Sequence, residues 1–441
     1  MNLGLKILNR LNICKPQKKF LIILYTAIVT TRGKINFRNL SRYSPLCEQT
    51  YSRQFVKPFD FVAFNRSLID EGLGSENERI IVLDASFIPK SGKKTYGLDS
   101  FWNGCHSRKE KGLEVCGVAL VDVVKNTGFT LSVRQSDAKE EDQKSDTKEQ
   151  KGVSRTGKKK KTGKKKSTKK KSKGKSKKKS AKDTEDEETL TDQYLQHLID
   201  VKPNLLEDEK YVVGDGYFSK KKFVDGVCEL ELYQVGKLRA DANMRYLYTG
   251  PKRESGSGNQ KTYDGKVDWQ DLSRFDLVDT QDGIAIYEQV LNHVSLKRNM
   301  KIVVLLNEKN EGKKKYVILF STDTDLEAKT LLKYYKARFQ IEFIFRDAKQ
   351  FTGLGDCQVR DKKRLNFHFN ASLTTLNLAK IEHLQTQSET ATMPFSMATI
   401  KAYYFNTFFL EKIFSILDID QSCIKKSPQY QKLRQLGKIA A

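Results

Sequence analysis

The sequence predicts an α/β fold, a mixed sheet covered by helices, carried within a longer and strongly basic chain. Three observations lead there. Short apolar runs of strand type recur between residues 79 and 320, and two of them end in a carboxylate: 80–84 (IIVLD) and 211–215 (YVVGD). Helix-type patterns alternate with these runs, and a long helical pattern over 326–351 follows the last of them. A low-complexity block at 138–188 interrupts the pattern without adding to it.

Taken in order, residues 1–75 read as a helical domain. Within it, 37–42 and 46–55 form two short helices around Ser44-Pro45 that expose Arg38, Arg42 and Arg53, an arrangement open to DNA contact or to an ordinary solvated face. Residues 20–29 (FLIILYTAIV) follow a basic stretch. They are too short to span a bilayer and are followed by no small-residue cleavage site, so they read as a packed apolar helix. After the strand at 80–84, residues 113–124 and 129–135 are β-rich and are joined by Lys125-Asn126-Thr127-Gly128, a hairpin turn. The 138–188 block has almost no apolar residues, cannot offset its ordering entropy, and is expected to be a disordered Lys-rich insert. It either binds phosphate without sequence preference or serves as a solvated spacer. A helix at 190–199, the strand at 211–215, a helix at 220–228 and a strand at 230–235 come next. A β-rich insertion at 238–312 has loop chemistry around Ser255-Gly256-Ser257-Gly258 and a strand at 302–306, and a further strand lies at 316–320. After the long helix, further helices at 365–384 and 398–417 make 356–441 a C-terminal helical region. With the two insertions removed, residues 76–355 follow the ribonuclease H-like order: strand, hairpin, helix, strand, helix, strand, long helix.

Composition narrows the function. At 441 residues, with 38% hydrophobic residues, the chain can bury a sizeable core and has room for two to four structural units. Its net charge of +26 attracts polyanions. The 16 lysines of 158–182 account for all but +10 of that charge, so the basic character does not depend on them alone. Seven cysteines are scattered without a CxxC pair, and five histidines are dispersed. This argues against a disulfide framework or a structural zinc site and points to a reducing, cytosolic compartment.

Three carboxylates stand out as a set. Cleavage of nucleic-acid strands by two divalent ions needs hard oxygen ligands converging on one point. Asp84 and Asp215 each end a short apolar strand and are followed by small residues, where open sheets gather their ligand sites. Singly, each is equally a turn residue or a helix cap. On the long helix, Tyr335, Arg338, Glu342 and Lys349 fall within a stripe of about 60° at ~100° per residue. Glu342 is suited to be a third ligand, and Arg338 and Lys349 to phosphate oxygens. The alternative is a charged helix face with Arg338 and Glu342 as an i,i+4 pair.

The spacing Tyr335-x2-Arg338-x3-Glu342-x6-Lys349, in YYKARFQIEFIFRDAK, resembles the signature of bacterial insertion-sequence transposases of the insertion-sequence-four group. The strings IIVLDASFIPKSG and VVGDGYFSKKKFVDG around the two Asp residues, and FTGLGDCQVRDKKRLNFHFNASLTTLNLAK after the helix, are similar to that group too. The resemblance covers about residues 30–385. It implies a ribonuclease H-like catalytic domain with a β-rich insertion between the second Asp and the Glu, and Asp84, Asp215 and Glu342 as catalytic metal ligands for two Mg²⁺ or Mn²⁺ ions. It further implies cleavage at inverted-repeat ends and 3′-hydroxyl strand transfer by cut-and-paste, some members passing through a DNA hairpin. Double-stranded DNA is then the partner, with a homodimer in the DNA complex, no membrane and no small-molecule substrate, in the nucleoid-associated bacterial cytoplasm. Tyr335, Arg338 and Lys349 become DNA-binding residues. An aromatic of the β-insertion stacks on a flipped base in such enzymes, and Trp269 is the tryptophan of that region. Two other readings stay open: a catalytically silent or domesticated DNA-binding protein of the same fold, and a ribonuclease H-like nuclease or resolvase, which needs no Tyr–Arg–Lys stripe.

Overall fold

A computed structural model describes residues 2–74, 78–137, 189–251, 260–307, 315–386 and 394–438. The Lys-rich insert at 138–188 and the turn residues 255–258 lie outside the described residues. The chain opens with helices α1 (Asn2–Arg10), α2 (Lys15–Thr30), α3 (Phe37–Leu40), α4 (Glu48–Gln54) and α5 (Phe61–Leu73). Strands β1 (Arg79–Pro89), β2 (Asp99–Asn103), β3 (Arg108–Asp122) and β4 (Thr127–Gln135) follow. Then come α6 (Leu190–Val201), β5 (Tyr211–Val213), α7 (Lys221–Glu229) and β6 (Tyr233–Leu238). A β-rich stretch holds β7 (Met244–Leu247), β8 (Tyr263–Lys266), β9 (Asp276–Gln281), β10 (Ile284–His293), β11 (Arg298–Asn307) and β12 (Lys315–Ser321). Helices close the chain: α8 (Ala328–Ala337), α9 (Gln340–Asp347), α10 (Lys362–Thr386), α11 (Met397–Ile416), α12 (Gln421–Ile424) and α13 (Pro428–Arg434).

All twelve of these strands join one mixed sheet, in the order β2-β3-β1-β5-β6-β12-β11-β10-β7-β8, with β4 on β3 and β9 on β10. β1 and β3 are antiparallel, as are β3 and β4, whereas β1–β5 and β5–β6 are parallel. The β-rich stretch after β6 continues the same sheet through the antiparallel β6–β12 pair. It still has a core of its own around Met244, Phe275, Leu291, Met300 and Phe320.

Strand alternation sends side chains to two faces. Ile81, Leu83, Cys116, Val118, Leu120, Phe129 and Leu131 pack with α1, α2, α5, α6 and part of α10. The N-terminal helices therefore share a core with α10 across the chain, and the apolar run in α2 is buried at Phe20, Leu21, Leu24 and Tyr25. No helix of the described residues is long and apolar enough to cross a membrane. On the other face Ile80, Val82, Ile88, Leu113, Val115, Ala119 and Val121 pack beneath α8, α9 and α10.

The free edge of β4 is closed by side chains. Asn377 of α10 accepts from the Thr130 N–H at 3.0 Å and donates to the Thr130 carbonyl at 2.7 Å. Two turns earlier, Asn370 does the same for Val133 at 3.1 and 2.9 Å. Asn65 of α5 donates to the carbonyl of Leu131, the residue bulged out of the β3–β4 ladder. Amides can both donate and accept, so they stand in for a missing neighbour strand.

Candidate active site

Parallel pairing of β1 and β5 sets Ile81 against Val212 and Val82 against Val213. Two residues further along each strand, Asp84 and Asp215 emerge side by side at the carboxyl end of the parallel pair, where such sheets leave a crevice. Their carboxylates are held by local backbone. Asp84 Oδ1 accepts from the Ala85 N–H at 2.8 Å. Asp215 caps the short 3₁₀ turn Gly216–Phe218 by accepting from Tyr217 N–H at 2.9 Å. Each Asp keeps its other oxygen for the site.

Gly117 of β3 lies opposite Asp84, on the same face of the sheet. A Cβ there would come within 3.0 Å of Phe345 Cζ and 3.8 Å of Ile341 Cδ1. The missing side chain lets α9 settle close to the strands.

The helical pattern expected as one continuous element over 326–351 is divided. α8 ends at Ala337 and α9 begins at Gln340. Between and just after them the backbone makes tighter three-residue bonds, from Phe339, Ile341 and Glu342 to Lys336, Arg338 and Phe339. α9 then runs into a π turn, Ala348–Thr352, which carries Lys349 and stops at Gly353 in the left-handed conformation. The sequence here has neither Pro nor Gly to announce the break.

The structure brings Arg338 between two of the carboxylates. Its Nη2 donates to Glu342 Oε1 at 2.9 Å, and its Nη1 lies 3.6 Å from Asp84 Oδ2. The Tyr335 ring stacks beside the same guanidinium, 5.8 Å from ring centroid to Cζ. Arg338 Nε is buried with no hydrogen-bond partner among the described residues. Burial first, then the negative field of Asp215, pushes the Asp84 carboxyl up to about 7; Arg338 pulls it back, and Glu342 adds to the rise. Burial also pushes the Tyr335 phenol up, with Arg338 opposing and Asp215 and Glu342 adding. Asp84, Asp215, Glu342, Tyr335 and Arg338 thus share one electrostatic neighbourhood. Lys349 joins it from the π turn: surrounding protein holds its ammonium below the ordinary lysine range, while Cys105 and Asp84 draw it back up.

Trp269 lies elsewhere, half-buried in the β-rich stretch. Its indole N–H donates to the Ala242 carbonyl at 3.0 Å, and its ring stacks on Tyr316, 6.4 Å between centroids.

The donor set of the site is entirely carboxylate, the ligand type of hard divalent cations. An acid whose proton affinity is raised by two neighbouring acids is also one that a cation would relieve. In this conformation Arg338 is the counter-charge, and among the described residues no group of three or more His, Cys, Asp or Glu is gathered to hold a metal ion. The chemistry of the residues fits such ions, provided the guanidinium moves aside to let the carboxylates close. Sequence reasoning missed Gly117 and the break after Ala337, since a glycine inside an apolar strand carries no sign of what approaches it.

No match is found among curated proteins. Residues 178–378, which include Asp215 and the whole Tyr335–Lys349 segment, match the family model described as the transposase DDE domain, and that match supports a DDE transposase.

Proposed function

We propose that this chain is a DNA transposase of the insertion-sequence-four type, with a ribonuclease H-like catalytic unit, that cleaves the ends of its element and joins their 3′-hydroxyls to target DNA by cut-and-paste. The observation that carries the reading is the shared field of Asp84, Asp215 and Glu342 around Arg338. The sheet order from β4 through β3, β1 and β5 to β6 supports the ribonuclease H-like assignment. Asp84, Asp215 and Glu342 are the residues that would hold two Mg²⁺ or Mn²⁺ ions. When bound, such ions activate the attacking oxygen and stabilise the leaving one in an in-line displacement.

The chain's own groups prepare that step. Arg338 offers a planar fork of donors, a geometry that suits a non-bridging phosphate oxygen. The Tyr335 ring faces the guanidinium at 5.8 Å from centroid to Cζ and offers it a cation–π neighbour. Lys349, within the electrostatic reach of Asp84, offers a second cation to the same phosphate. Double-stranded DNA is the substrate in this reading, and two copies acting on paired ends form the working complex.

The test uses the full chain, DNA bearing the element's inverted repeat, and Mg²⁺. Asp84→Ala and Glu342→Gln are each expected to abolish cleavage while leaving end binding in place. Full cleavage by either variant would sink the assignment.

A further inference from the structure

Beyond Asp84 the sheet extends into a two-stranded ribbon that the site does not absorb. β2 pairs with the start of β3, with Ser100 opposite Lys111 and Trp102 opposite Lys109. Cross-strand partners share a face, and so do every second residues along a strand. Counting back from Gly117, the partner of Asp84, places Val115, Leu113, Lys111 and Lys109 on one face of β3. Trp102, Lys109 and Lys111 therefore belong to the same face of the sheet as Asp84.

The two faces of the ribbon differ. On one, Asn103, His106 and Arg108 close upon Glu110, with Asn103 Nδ2 at 2.6 Å and Arg108 Nε at 2.7 Å from its oxygens. On the other, Trp102 is 57% exposed, and Lys109 and Lys111 are exposed with no ion pair recorded among the described residues. The contrast with the second tryptophan is chemical. Trp269 packs its ring and satisfies its N–H, whereas Trp102 is exposed and has neither a ring partner nor an N–H acceptor among the described residues. A single exposed apolar residue is unremarkable. Here the largest aromatic side chain stands beside two cations of the neighbouring strand, on a face continuous with a carboxylate site. The loop leading into the ribbon adds exposed Lys93 and Lys94. Cys105, in the turn of the ribbon, lies within electrostatic reach of Lys349.

We propose that the β2–β3 ribbon seats in a groove of duplex DNA beside the cleavage site, with Trp102 against the bases or sugars and Lys109 and Lys111 on flanking phosphates. A two-stranded ribbon fits the major groove, where base edges and sugars give an indole an apolar surface to pack on. The inference rests on the transposase reading for its ligand, and the pairing of two lysines with a flat apolar ring is what selects a polyanion with apolar sugar and base edges over an acidic protein surface.

The experiment titrates a fluorescein-labelled duplex of mixed sequence into the full chain. Anisotropy follows binding, and tryptophan emission follows the ribbon. The chain has two tryptophans, so wild type minus Trp102→Phe isolates the Trp102 signal. That signal is expected to be quenched and shielded from acrylamide on saturation. Trp102→Ala should weaken binding on the order of 10-fold. Lys109→Ala with Lys111→Ala should lower the slope of log K against log salt by about 2. Binding with unchanged Trp102 emission and accessibility overturns the ribbon alone. No binding to duplex or to end-containing DNA overturns the transposase reading with it. A Trp102 response to anionic lipid vesicles but not to DNA assigns the face to a membrane surface and also overturns the proposal.

Discussion

Gly117 stands directly across the β1–β3 ladder from Asp84, and the space its absent side chain leaves is taken by Phe345 of α9. This one gap couples the strand that carries the first carboxylate to the helix that carries Glu342. A Val at 117 cannot fit without displacing the ring, because even a Cβ meets Phe345 at 3.0 Å. Gly117→Val should cost about 1–3 kcal/mol through overpacking. It should also lower DNA cleavage about 100-fold, the scale of a misplacement near 1 Å. Denaturation midpoints and cleavage rates on one preparation check both. Unchanged values would mean that α9 is not seated by this contact.

Arg338 makes a second prediction. It bridges Glu342 and Asp84 while keeping Nε unpartnered, so its geometry as well as its charge is in use. Lysine keeps the charge and loses the fork. Arg338→Lys is expected to retain the fold and most DNA affinity while cleavage falls about 100-fold, as for loss of one preorganised donor. Binding and single-turnover cleavage measured side by side will separate the two. Equal loss in both would reduce Arg338 to a general phosphate contact.

How far the sequence reaches can be judged residue by residue. Asp84 and Asp215 are legible because each ends an uninterrupted apolar run, a purely local pattern. That they end adjacent parallel strands is not, since the β1–β5 pairing joins segments more than a hundred residues apart in the chain. The helical spacing of Tyr335, Arg338 and Glu342 can be read directly, but the break after Ala337 and the π turn at Ala348–Thr352 follow from tertiary packing and leave no Pro or Gly behind. β2 and the first residues of β3 are polar and escape a search for apolar alternation, although Trp102, Lys109 and Lys111 are the residues that make the ribbon notable. Trp269 is visible as a tryptophan in a β-rich stretch, and only its contact with Ala242 shows how it is held.

The asparagines of α10 lead to a stability prediction. Asn377 satisfies both backbone groups of Thr130 at the closed edge of β4, where both residues are buried. Asn377→Leu keeps the volume close but leaves a buried N–H and a buried carbonyl unpaired, each worth about 1–3 kcal/mol. Destabilisation of about 3 kcal/mol is expected in urea unfolding, together with a rise in aggregation as the strand edge opens. A Leu variant as stable as wild type would show that the edge is covered by packing alone.

His197 gives the chain a defined acid sensitivity. It is fully buried on α6, with Nε2 2.7 Å from Ser132 Oγ and Nδ1 without a partner among the described residues. Burial first, then the Arg134 guanidinium, pushes its titration down to about 3, with Asp200 opposing weakly. An unfolded histidine titrates near ~6.5. Above that value neither state carries the proton, and the residue's contribution to stability is fully present. As pH falls below it, the unfolded chain takes up a proton that the folded chain refuses, so stability drops by up to about 1.4 kcal/mol per pH unit until the folded group also titrates. His197→Gln keeps a polar group facing Ser132 and cannot titrate. Between neutral pH and pH 5, the variant should lose less stability than wild type, the slopes differing by nearly one proton. Carboxylates elsewhere contribute equally to both curves and cancel in the comparison. Parallel curves from urea denaturation at each pH would mean that His197 takes up its proton over the same pH range folded and unfolded, so that burial does not hold it neutral.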